Sequence, residues 1–139
     1  MTQARLAGII GMIDEANALD PQQIDVRGEL RAAASVYGER MSETLEQVAP
    51  QASEHLQIAA RGQHIERWKL LRSDFEEGRT GYLKWRKQLQ SYHAERLGEL
   101  MSTAGYGTAD CERVSCLVRK VGLKSDEEVQ ALEDVACLV

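Results

Sequence analysis

The chain has 139 residues, 43% of them hydrophobic and 28% charged, with two prolines; this balance fits one folded domain and excludes a disordered polymer. A formal net charge of −5 disfavours nucleic-acid binding by overall charge, and no apolar run reaches membrane-spanning length. The three cysteines, Cys111, Cys116 and Cys137, lack CxxC spacing, which argues against a disulfide framework or a zinc ribbon and for reduced thiols in a cytoplasmic protein. Arg5, Asp14 and Glu15 interrupt the apolar residues at the start, so no signal-peptide core is read there.

Apolar residues recur at helical spacing from the beginning. Leu6, Ile9, Ile10, Ile13 and Ala16 predict a first helix that ends near Asp20-Pro21, because proline disfavours the helical conformation of the residue before it. Leu30, Ala33, Ala34, Tyr37, Met41, Leu45 and Val48 predict a second, its start blurred by Gly28 and its end set by Pro50. No strand-like alternation is read. From Pro50, as a first-turn proline, a third helix is expected through Leu56, Ala59, Ala60 and His64 to Trp68 or Leu71. Residues 73–81 are polar and glycine-bearing and are expected to form a loop.

Tyr82, Trp85, Leu89, His93, Leu97, Leu100 and Met101 make the stripe of a long fourth helix closing at Gly105-Tyr106-Gly107, where glycine is a good C-terminal stop. A fifth spans roughly 109–121. Ser125 followed by Glu128 has capping-box spacing and starts a sixth. That helix turns apolar nearly all round at residues 135–139, so its end is expected to be buried. A chain ending there reads as C-terminally shortened or as carrying a surface for a homo-oligomer. The expected fold is an all-α, single-domain bundle of about six helices with orthogonal packing, since no heptad persists.

Polar residues on apolar stripes mark the candidate site. His64 shares a face with Leu56, Ala60, Trp68 and Leu71; His93 lies between Leu89 and Leu97; Asp134 lies between Ala131 and Leu138. All three are expected to be buried. Two imidazoles and a carboxylate are a standard ligand set for a divalent metal, but they also form ordinary satisfied core networks, and no HExxH pair is present. Glu66 and Glu133 are secondary candidates, as acceptors of a proton from a metal-bound water.

A basic, aromatic segment gives a second signal. Residues 61–87 carry eight basic and four acidic side chains, against a net −5 for the whole chain. Arg61, Arg67, Arg72, Arg79 and Arg86, interleaved with Trp68 and Trp85, would suit a phosphorylated small molecule, because guanidinium forks bind phosphate bidentately and aromatic faces stack rings. The same arginines could instead pair with acids on other helices, such as Glu39, Glu43 and Glu46. Neither a GxxxxGK[ST] loop nor a GxGxxG motif is present, and no nucleophile elbow places a serine for attack.

The strings NALDP (17–21), YGERM (37–41), AARGQHIERW (59–68), GRTGYLKWR (78–86), YHAE (92–95), AGYG (104–107) and LEDVACLV (132–139) resemble the DUF4202 family over nearly the whole chain. The resemblance implies no chemistry, but it implies further helical sequence after LEDVACLV. Leu70-Leu71 and Glu76 depart from it, where the family tends toward proline.

More distantly, HAE (93–95), AGYGTADCERV (104–114), Arg119-Lys120 and LEDVACL resemble the second half of HD-superfamily phosphohydrolases, helical metal enzymes that cleave phosphate esters. That resemblance implies metal-ligand roles for His64, His93 and Asp134. The histidine–aspartate doublet of the superfamily has no counterpart between His64 and His93, and Lys120 stands near where many members place another histidine. The expected function is an HD-like domain that binds a phosphorylated small molecule, as a metal-dependent phosphohydrolase or as a degenerate, non-hydrolytic relative. The alternative is a non-catalytic structural or interaction module with a buried His/Asp network.

Overall fold

A computed structural model describes residues 2–139, and among them it has six α-helices and one β-hairpin. Helix α1 (Thr2–Asn17) is followed by strands β1 (Gln23–Val26) and β2 (Glu29–Ala32), paired antiparallel with Val26 opposite Glu29. The hairpin corrects the expectation of no strand. Its turn, Arg27-Gly28, has φ of 54° and 86°, the left-handed pair that matches the twist of a two-residue hairpin, and Asp25 accepts the Gly28 N–H at 2.7 Å. Gly28 thus belongs to this turn, and Leu30 is an exposed strand residue.

Helix α2 (Ala33–Val48) has no cap from its own flanking side chain. Asp20, buried just after α1, supplies one through space by accepting the backbone N–H of Ala34, and it also accepts that of Gln22, each at 2.9 Å. Helix α3 (Glu54–Arg61) starts four residues after Pro50, the expected first residue, because the Ser53 hydroxyl caps the Leu56 N–H at 3.1 Å. It also ends early, at Gly62. His64 therefore lies on a run of turns leading to two short 3-10 turns, Arg67–Lys69 and Arg72–Asp74, and not on a helix.

Helix α4 (Gly78–Thr103) begins inside the segment expected to be a loop. A Cβ at Gly81 would stand 1.8 Å from the Glu76 carbonyl oxygen, so only glycine lets the preceding loop fold back on this helix. The Arg72 guanidinium donates to the carbonyls of Phe75, Glu76 and Gly78, and Trp85 Nε1 donates to the Leu70 carbonyl at 3.0 Å. Helix α5 (Thr108–Val118) leads through left-handed Lys120 (φ 60°) and Gly122 (φ 75°) to α6 (Glu127–Leu138). Asp126 caps α6 where Ser125 was expected to, and Arg113 holds Asp126 and Glu128 together.

One contiguous core draws on all six helices, with Ile9 and Ile13, Met41 and Leu45, Leu56 and Ile58, Leu97 and Met101, Val114 and Leu117, and Val129, Leu132 and Val135. Only part of the apolar tail joins it. Val135 is buried, but Cys137, Leu138 and Val139 are exposed, Leu138 at 68%, which corrects the expectation of a buried helix end. Among the described residues no helix is long and apolar enough to cross a membrane.

Candidate functional site

His64 and His93 come together, although His64 lies on a turn and not on the helical stripe it was read from. Their ring centroids are 6.0 Å apart, and Tyr37 of α2 stacks on His64 at 4.1 Å with the rings 8° from parallel. Both imidazoles line a cavity of about 300 Å3 whose walls include Gln63, Arg67, Arg86, Lys120, Glu133 and Cys137. Burial, reinforced by Arg67, His93, Lys120 and Arg86, pushes His64 down to about 3 from the ordinary 6.5. Burial and Arg67 push His93 down to about 4 against the opposing pull of Glu66. Both rings are neutral at pH 7.

Three polar atoms on this cavity are buried without a hydrogen-bond partner: Gln63 Oε1, His93 Nε2 and Lys120 Nζ. His93 is 3% exposed. Lys120 Nζ lies 3.5 Å from Glu133, an electrostatic contact without hydrogen-bond geometry, and burial lowers its pKa although Glu133 opposes the shift. A buried donor or acceptor left unpaired costs about 1–3 kcal/mol. Their grouping on one cavity means that a polar molecule within it, ligand or water, would satisfy all three. Three cations, Arg67, Arg86 and Lys120, face one carboxylate, Glu133, so the cavity favours an anion.

Asp134 is not part of this site. The buried stripe of α6 is Val129, Leu132 and Val135, so Asp134 falls on the exposed face, where Gln130 donates to it at 2.9 Å; its neighbour Glu133 is the carboxylate that reaches the cavity. Among the described residues no group of three His, Cys, Asp or Glu side chains is placed to hold a metal ion. The expected set of His64, His93 and Asp134 does not fit a shared metal.

Glu66 has a different role from the one expected. It is 2% exposed, left-handed (φ 53°), and accepts from Lys69 at 3.0 Å, Tyr92 at 2.9 Å and Arg96 at 2.8 Å, while its N–H donates to Asn17 Oδ1 at 3.1 Å. Burial pushes its carboxyl up, but these donors outweigh burial and hold it below the ordinary range. It is the anchor of a closed network and not a free base.

The arginines divide. Arg67 and Arg86 line the cavity. Arg61 is locked to Asp14 at 2.8 and 2.9 Å, Arg72 closes the loop before α4, and Arg79 is exposed and lines neither this cavity nor its neighbour, so these three are not placed as anion contacts there. Trp68 and Trp85 line the neighbouring cavity. Sequence reasoning missed Tyr37, Gln63 and Lys120 as site residues. In the sequence Lys120 stands out only near a histidine position of the HD-like pattern and not as a site residue.

The profile of the family described as "Domain of unknown function (DUF4202)" matches residues 8–139. No curated protein and no solved structure matches the chain. The match covers most of the sequence, and the chain belongs to the DUF4202 family.

Proposed function

We propose that the cavity between α2, α4 and α6 binds the phosphate group of a small phosphorylated molecule. The observation that carries this reading is the set of three buried, unpartnered polar atoms on one cation-rich cavity. Lys120, Arg67 and Arg86 supply the charge. His93 Nε2 is a donor in one neutral tautomer, and the Gln63 amide can turn its NH2 toward a phosphate oxygen. A bound dianion would compensate the buried Lys120 ammonium better than the single carboxylate of Glu133 does.

The activity these groups support is binding and not hydrolysis. A metal-bound water would need a third ligand beside His64 and His93. The distant HD-like resemblance adds the expectation of a phosphate ester, with His64 and His93 in the pocket of a degenerate relative. A cytoplasmic setting accords with three free cysteines.

Calorimetric titration with inorganic phosphate tests the reading. Saturable binding is expected, weakened about tenfold or more in Lys120→Gly and in Arg86→Ala and unchanged in Arg79→Ala. Absence of saturable binding, or equal affinity in Lys120→Gly, would overturn it.

A further inference from the structure

Next to the cation-rich cavity lies a second one of about 490 Å3, beneath the β-hairpin, with walls that include Ile24, Trp68, Leu70 and Trp85. Tyr37, His64 and Arg67 line both. The two spaces therefore adjoin at the Tyr37–His64 stack, and they differ in chemistry: the first holds the unpartnered polar atoms, the second both tryptophans of the chain. Arg67 stands at the junction, exposed, with its guanidinium 5.1 Å from the Trp85 ring centroid.

We infer that the ligand is a phosphate monoester with a planar aromatic body, the phosphate in the first cavity and the ring in the second. This rests on the phosphate-binding reading above and extends it to the rest of the molecule. The ring is argued from the walls. Trp68 is partly exposed on the second cavity, where its face can stack a flat body, and Ile24 and Leu70 supply apolar contact on a wall that Arg40 and Arg72 share. The acid on this wall, Asp20, is already committed to the N–H groups of Gln22 and Ala34. Arg67 can serve both ends, its charge toward the phosphate and its plane along the ring. A short linkage at the junction would let one molecule occupy both cavities.

Phenyl phosphate and inorganic phosphate are the probes, titrated into the full chain by calorimetry and by tryptophan fluorescence. Both tryptophans line the second cavity and neither lines the first, but the Trp85 ring centroid lies 5.1 Å from the Arg67 guanidinium, so the part of the emission change that Trp68→Ala removes is what reports the ring. Phenyl phosphate is expected to bind about tenfold tighter than inorganic phosphate and to change the emission through Trp68, a change that inorganic phosphate does not produce and Trp68→Ala abolishes. Trp68→Ala should bring phenyl phosphate to the affinity of inorganic phosphate without weakening the latter. Leu71→Asn, at an exposed position lining the same cavity, should give a smaller loss with the same selectivity. Equal affinities with the same emission change for both probes, while Lys120→Gly still weakens both, would overturn the ring site and leave the phosphate site standing. Failure of both probes to bind would overturn the two together.

Discussion

Glu66 and His93 lie close together, since Tyr92, which donates to Glu66, precedes His93 in α4; yet the fold treats these two buried polar groups in opposite ways. Glu66 is 2% exposed and receives three side-chain hydrogen bonds. His93 is 3% exposed and its Nε2 has no hydrogen-bond partner, nor do Gln63 Oε1 and Lys120 Nζ on the same cavity, the last in ion-pair contact with Glu133 alone. Burial alone does not distinguish a structural polar group from a functional one. The count of satisfied partners does: a closed network stabilises the fold, and an open one costs stability unless something else completes it.

The contrast breaks most visibly in acid. His64 and His93 have pKa values lowered to about 3 and about 4 in the folded chain, so between these values and 6.5 the unfolded chain binds more protons. Their neutral burial is fully tolerated above 6.5, and stability falls as pH drops from 6.5 toward 4, by up to about 1.4 kcal/mol per pH unit for each histidine. Glu66, held below its ordinary 4.5, contributes stability that is fully present above 4.5 and is lost only as pH falls below it. Urea unfolding between pH 7 and 4.5 should show the slope, and His64→Gln with His93→Gln should flatten it; an unchanged slope in the double variant would place the acid sensitivity elsewhere.

Next in size is Glu66→Ala, expected to cost about 2–4 kcal/mol in denaturant unfolding by stranding Lys69, Tyr92 and Arg96, while folded protein keeps its phosphate affinity. Lys120→Gly is the mirror image. It removes a buried ammonium and relaxes a left-handed residue, so stability should stay equal or rise by up to about 1 kcal/mol, while phosphate binding falls about tenfold. A variant that loses stability and keeps binding would reverse the assignment. Smallest is Asp134→Asn: on the exposed face of α6, it should change stability by less than about 0.5 kcal/mol, and neither it nor a chelator should alter phosphate affinity. A tenfold loss with chelator would restore a metal to the site.

The helices were legible where one stripe dominates. Periodicity located α1 and α4 to α6, and the face of α4 that carries Leu89, His93 and Leu97 is the buried one. It failed where side chains from elsewhere decide. The hairpin strands, Gln23–Val26 and Glu29–Ala32, do alternate polar and apolar residues, but at four residues each the signal is outweighed by the helical stripe to which Leu30 is assigned, and Asp20 sets the start of α2 through space. His64 was found despite lying on a turn, because spacing from α3 happened to carry inward. Asp134 was misplaced because apolar residues surround the end of α6, so several stripes pass through it and only packing selects Val129, Leu132 and Val135. Lys120 was noticed only through the HD-like resemblance and not placed in the site, because a lysine after a helix reads as solvated and its burial comes from the left-handed turn into α6.

The central claim is that His93 Nε2 is a ligand contact and not a misfitted core atom. Long-range proton–nitrogen NMR of the imidazole side chains during titration with inorganic phosphate tests it most directly. A saturable shift of the His93 ring nitrogens is predicted, absent in Lys120→Gly, with His55, paired to Asp110 away from the cavity, unmoved. A His93 signal that stays fixed through saturation, or moves no more than that of His55, would contradict the account.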